Sequence, residues 1–212
     1  MSGLSGSVDY DAAADYAALD ERARVVLDCW FGAPDSATYG LDRKLWFKRD
    51  AAFDAMLRER FGELLELAAQ GGLDAWAVTP LGGLALVIVL DQFSRNLYRG
   101  TARAFAGDAH ALRIARQMIA DGADQLLPTL LHRAFAYLPF EHDESLAGQR
   151  ESLRLFKPFE AQPQRIASYY QAAVRHAAVI ERFGRFPHRN AALGRVSTEE
   201  EQDFLRKPGS SF

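Results

Sequence analysis

The chain reads as all-α, an irregular stack of antiparallel helical hairpins. Three observations predict it: apolar residues recur at spacings of three and four, strand-like alternation is scarce, and helix-capping residues flank the periodic stretches. Val25, Val26, Cys29 and Trp30 follow the helical spacing, as do Phe53, Met56, Leu57 and Phe61. Residues 1–19, opening with the small residues of positions 1–7, are expected to form a flexible N-terminal segment. Residues 20–212 are expected to form one helical domain, since no shift in composition marks a linker.

Taken in order, Gly71-Gly72 suits the end of one helix, and Thr79 offers an N-cap with Pro80 at the first position of the next. From Leu84 to Leu90 that helix is apolar on every face, which predicts a central position. Asp108 is placed to cap a helix running to about Ala120. Further helices are expected over about 128–137, 144–157, 164–185 and 198–206. Thr198, followed by Glu199, Glu200 and Glu201, suits the positive start of the last one. Pro139 and Pro158 fall at expected boundaries, with Pro139 breaking its helix beside a cleft. Pro187 biases Phe186 toward extended geometry and should release His188, Arg189 and Asn190 into a turn. Trp30, Trp46, Trp76, Phe31, Phe47, Phe53, Phe61 and Tyr98 are expected as core wedges between helices. Short links make helical hairpins the natural arrangement, although no 34-residue self-similarity marks a solenoid.

Composition narrows the function. With 212 residues, 49% of them hydrophobic, the chain can bury a substantial core. A net charge of −3 offers no global attraction for nucleic acid or anionic lipid, so neither is expected as a partner. Cys29 stands alone and no charged-then-apolar leader precedes Val8, which points to a reduced, cytoplasmic setting. The longest apolar run, Leu81 to Leu90, is about half of what a membrane-crossing helix requires.

Two polar stretches interrupt this apolar frame. Asp91-Gln92-Phe93-Ser94-Arg95-Asn96 ends the apolar run, and Arg182-Phe183-Gly184-Arg185-Phe186-Pro187-His188-Arg189-Asn190 lies near the C-terminus. Asp91 and Arg95 are four apart and can clasp on one helix face. Arg182, Arg185 and Arg189 bring like charges together and need an anion, either internal (Glu181, Asp91, Glu141 or Glu144) or a bound phosphate or carboxylate. Pro139-Phe140-Glu141-His142-Asp143-Glu144 adds carboxylates and a histidine. His142, His176 and His188 can titrate near neutrality. Ser94 at a helix end is better suited to satisfying backbone carbonyls than to acting as a nucleophile. No phosphate loop, dinucleotide-binding turn or nucleophile elbow is present, and metal-ligand spacings are lacking, so neither metal nor cofactor is expected.

Several of these segments together resemble one known family. Val26-Leu27-Asp28-Cys29-Trp30-Phe31-Gly32, Trp46-Phe47-Lys48-Arg49-Asp50, Thr79-Pro80-Leu81-Gly82, Asp91 to Gly100, Tyr137-Leu138-Pro139-Phe140-Glu141-His142, the nine-residue stretch from Arg182, and Leu193 to Thr198 follow in order. The chain thereby resembles the bacterial family known as domain of unknown function 924, over about residues 24–205. The resemblance implies an all-helical fold akin to tetratricopeptide-repeat proteins without their repeat consensus, and no activity. In that family a proline commonly stands where this chain has Ser94, and an aromatic residue where it has Cys29.

Three functions follow from the residues. The first is a pocket holding an anionic small molecule or acidic peptide group through Arg95, Asn96, Arg182, Arg185, His188, Arg189 and Asn190. The second is a hydrolase or phosphoryl-group enzyme in which His142 or His188 moves a proton, Asp91 or Glu141 orients it, and arginines stabilise negative charge. The third is a purely architectural polar network in an interaction scaffold. All three rest on the segments around 91–96, 141–144 and 182–190 meeting in space.

Overall fold

The computed structural model describes residues 10–210, which form helices joined by turns and loops, with no strand among them. Residues 1–9 of the expected flexible segment lie outside the described residues. The remainder of that segment carries a short helix, α1 (Ala12–Ala18), capped by Asp11. It packs on a later helix, where the Leu81 amide donates to Asp15 at 3.1 Å, while the Tyr16 hydroxyl donates to Asp28 at 2.6 Å.

Helix α2 (Glu21–Phe31) buries Ala23, Val26, Leu27, Trp30 and Phe31, the face its spacing predicts. A 3₁₀ turn at Lys44–Trp46 follows, then α3 (Ala51–Ala69), N-capped by Asp50. The chain leaves α3 through Gly71, whose φ of +80° only glycine adopts without strain. Thr79 caps α4 (Pro80–Val87) by accepting from the Gly82 amide, as the Thr-Pro pair predicts. All but the first residue of α4 are buried, in keeping with its uniformly apolar surface.

The central helix does not stop at its polar end. It widens into a π-helical segment at Ile88–Phe93 and continues as α5 (Ser94–Leu97). Every residue of the π segment is buried, Asp91 and Gln92 included. Ser94, expected at a helix end, instead lies within the continued helix, and its hydroxyl donates to the carbonyls of Asp91 and Ala104, each at 3.1 Å.

Helix α6 (Asp108–Ala120) packs on α4 and on the π segment. Its N-cap is Gly107; Asp108, read from sequence as the cap, is its first residue and turns its carboxylate elsewhere. Gly107 is there because a Cβ would lie 2.6 Å from the Leu90 carbonyl oxygen, closer than any side chain permits. This contact seats the start of α6 against the π segment.

Helix α7 (Leu130–Glu141) is capped by Thr129 and packs on α4, α6 and the π segment. Pro139 does not break it, contrary to the sequence expectation. It lies within the last turn, so little of the hydrogen-bond ladder is lost, and the burial of residues 134–141 favours continuing the helix. Helix α8 (Leu146–Phe156) returns along α7, and α9 (Gln164–Phe183) packs on both. Gly184, at φ +69°, ends α9. Phe186 is extended, as Pro187 requires, and Pro187–Arg189 form a 3₁₀ turn. Helix α10 (Glu199–Leu205) opens on a full capping box between Thr198 and Glu201. No helix among the described residues is long and apolar enough to cross a membrane.

Candidate functional site

The C-terminal half of the central helix, the 3₁₀ turn at Ala102–Phe105, the end of α7, one face of α9 and the turn after it enclose a cavity of about 760 Å³. The loop carrying Trp46, Phe47 and Arg49 forms its remaining side. Five arginines line it, Arg49, Arg95, Arg99, Arg175 and Arg189, against the carboxyl groups of Asp42 and Glu141.

At the floor stands Asp91, wholly buried in the π segment. Its carboxylate accepts from Gln92 Nε2 at 2.5 Å and from His142 Nδ1 at 2.7 Å, and lies 3.1 Å from the Arg95 guanidinium. Burial alone would raise its pKa. Arg95, His142 and Gln92 together outweigh burial and hold the carboxyl below the usual carboxylate range. The i to i+4 clasp of Asp91 and Arg95 therefore forms, within a widened helical turn. Arg95 also donates to the Asp91 backbone carbonyl at 2.7 Å.

Arg95 further forks onto Asp108 with bonds of 2.9 and 3.1 Å. Asp108 accepts a third bond, from Arg189 at 3.1 Å, and Arg189 donates also to the His142 carbonyl at 3.0 Å. The Arg189 guanidinium lies 4.7 Å from the Phe105 ring centroid and 4.6 Å from that of Phe186, so two aromatic faces replace much of its lost hydration. Two carboxylates and two guanidiniums thus form one charge-matched chain joining the central helix, α6 and the turn at Pro187–Arg189.

His142 is the last residue of this network and the first of the cavity. Asp91 holds its Nδ1, its Nε2 makes no hydrogen bond among the described residues, and the residue lines the cavity. Burial, reinforced by Arg95, lowers its pKa against the opposing pull of Asp91, which favours the neutral ring. Its neighbour Glu141 is buried, with Oε1 3.1 Å from His176 Nδ1 and Oε2 without a hydrogen-bond partner. Burial raises the Glu141 carboxyl to about 8, so it is largely protonated at neutral pH. Burial likewise lowers His176 to about 3 and His188 to about 4.

The structure brings together Asp91, Arg95, Glu141, His142 and Arg189; all of these but Asp91 line the cavity, as do Asn96 and His188. Asn96 turns its amide to Asp54 at 2.7 Å, and Arg99 pairs with the same carboxylate at 2.6 Å. Arg182, Arg185 and Asn190 do not line the cavity. Arg182 pairs with Glu200 on the surface, and Arg185 forks onto Glu201 at 2.6 and 2.8 Å. Asn190 donates to Glu201 at 3.2 Å and accepts from Arg195 at 2.9 Å. These three clasp α10 to the end of α9. Their counter-charges differ from those expected in sequence: Glu200, Glu201 and Asp108 serve the arginines at 182, 185 and 189, whereas Glu144 takes Arg195 and the Phe186 amide.

Four contributors escaped sequence reasoning. Asp108 was placed only as a helix cap. Arg49 and Arg175 line the cavity with no carboxylate within ion-pair distance among the described residues, and Asp42, also in the lining, is taken by Arg165 at 2.9 Å. Phe47, expected in the core, is 62% exposed at the cavity mouth; the other core wedges are buried or half-buried. Arg49 sits two residues after Phe47 in a motif dense with aromatic and basic groups, a signal available in sequence. Arg175 has none beyond being a charge on a helix.

No curated protein matches the chain. Among solved structures, a protein of unknown function from Agrobacterium tumefaciens is similar at 38% identity and a TM-score of 0.75, over 92% of this chain and 99% of that one. The sequence pattern described as bacterial protein of unknown function (DUF924) matches residues 26–209. With its ordered motifs and helical fold, the chain belongs to this DUF924 family.

Proposed function

We propose that the cavity binds a small organic anion, or the acidic group of a peptide, with its charge set against Arg49 and Arg175. One observation carries this reading: these two residues line the cavity with no carboxylate within ion-pair distance among the described residues. Arg95 and Arg189 are neutralised by Asp91 and Asp108, and Arg99 by Asp54. The matched pairs build the floor, and the unmatched pair leaves a local positive excess in a chain whose net charge is −3. A cavity of about 760 Å³ suits a small molecule. Asn96, His188 and the remaining guanidinium edges of Arg95 and Arg189 supply polar contacts around it, whereas Arg182, Arg185 and Asn190 support the site through the α10 clasp. Isothermal titration with phosphorylated metabolites and short acidic peptides tests the proposal. Binding that weakens with salt and falls about tenfold or more in Arg175→Ala is expected for a charge-assisted contact; binding indifferent to that substitution refutes it.

A second reading is proton-transfer chemistry on the bound anion. The Asp91–His142 pair favours it, because Asp91 engages the ring through Nδ1, burial favours the neutral form, and His142 lines the cavity. Asp91 would act as the positioning residue and His142 as the base, with cavity arginines facing the developing charge.

A further inference from the structure

Phe47 is the one phenylalanine among the described residues that is exposed rather than buried or half-buried, at 62%. Its position is nevertheless fixed. The ring lies parallel to Phe135, with an interplanar angle of 6° and centroids 6.2 Å apart. It meets Tyr169 edge to face at 5.9 Å and 69°. An apolar ring anchored in this way, yet left facing a cavity, leaves apolar surface that an occupant can cover. Trp46 and Leu138 also line the cavity, and both are buried at 4% and 3% exposure, so this side is a firm wall. Arg49 is two residues from Phe47, and Arg175 is six residues, under two helical turns, beyond Tyr169 on α9. Phe47, Tyr169, Arg49 and Arg175 all line this one cavity.

Resting on the anion-binding reading, we infer that the ligand is an aryl anion, with a flat aromatic body against Phe47 and an acidic group toward Arg49 and Arg175. The geometry favours a flat ring over a flexible chain. Phe47 already meets Phe135 in parallel and Tyr169 edge to face, and aromatic rings gain from offset or edge-on contact beyond the area they bury. Guanidinium groups also stack on aromatic faces, so the same arginines serve ring and charge together.

The test is isothermal titration of the full chain with inorganic phosphate, phenyl phosphate and octyl phosphate. Phenyl phosphate is expected to bind about tenfold tighter than inorganic phosphate, the scale of one aromatic contact. It should also bind more tightly than octyl phosphate. Phe47→Ala and Phe47→Leu should each erase most of the phenyl preference and leave inorganic phosphate binding within about twofold. Since Phe47 is exposed, both variants should fold, and circular dichroism melting verifies this for each. If inorganic phosphate binds and phenyl phosphate does so no more tightly, or octyl phosphate equals it, the aryl inference is overturned while the anion reading stands. If the Phe47 variants keep the phenyl preference, the assigned wall is overturned. Failure of all three probes to bind overturns both readings.

Discussion

Removing the Asp108 carboxylate should strand one buried cation. Asp108 accepts three bonds, two from Arg95 and one from Arg189. In Asp108→Ala, Arg95 retains Asp91, but Arg189 retains only the His142 carbonyl and two aromatic faces, with 5% of its surface exposed. Breaking a buried pair by deleting one partner costs roughly 3–5 kcal/mol. The Asp108 side chain is 20% exposed, so water can reach the gap, and the lower end of about 3 kcal/mol applies. For a domain of this length each kcal/mol lowers Tm by roughly 2–4 °C, which gives a fall of about 6–12 °C. Differential scanning calorimetry measures it. Asp108→Asn preserves shape without charge and should lose nearly as much. Arg182→Ala, which breaks the surface pair with Glu200, should cost no more than about 1 kcal/mol. An Asp108→Ala melt within about 2 °C of the parent, or no lower than that of Arg182→Ala, would falsify the view that this chain of charges locks the cavity floor.

The remaining predictions concern protons. Glu141 has its folded pKa raised to about 8 from 4.5 by burial, so its favourable contribution is complete below about pH 4.5 and is lost as pH rises through 8. Glu141→Gln should therefore be more stable than the parent at pH 9 by a few kcal/mol, about the linkage scale of a shift this large, and chemical denaturation should show the advantage vanishing toward pH 5; an advantage that persists unchanged at pH 5 contradicts the assignment. For the proton-transfer reading, turnover on an ester of the bound anion should fall about a hundredfold or more in His142→Gln. In Asp91→Asn, where the positioning of His142 is lost, the pH dependence of the rate should change as well as its size. Turnover that survives His142→Gln with its pH profile intact removes His142 from the chemistry.

Much of the fold is legible in the sequence because helix spacing and caps are local. Thr79-Pro80, Thr198 with Glu201, and the extended Phe186 before Pro187 all act within a few residues and stand where expected. Pro139 differs because the burial of its surroundings overrides a local preference. The meeting of Asp91, Arg95, His142 and Arg189 is partly legible, since apolar frames leave few places for polar groups. Which carboxylate serves which arginine is not legible. Asp108 and Arg189 are 81 positions apart, and nothing local distinguishes Asp108 from Glu181 or Glu144 as a partner. Phe47 shows the same limit from the apolar side, since a ring that faces a cavity and a ring that fills a core have the same letter.

The wide turn at Ile88–Phe93 acts as a phase shifter in the middle of the molecule. Each residue of an ordinary helix advances by about 100° around the axis, so one residue taken up in a looser coil re-aims every side chain after it by about that angle. Upstream, the helix is apolar on every side and carries no charge to be aimed. Downstream, Arg95 meets Asp108 on one side while Asn96 and Arg99 meet Asp54 on another. Shortening this coil by a single residue would leave the composition almost unchanged and dial each cation away from its acid, so here the spacing of the letters carries as much information as their identity.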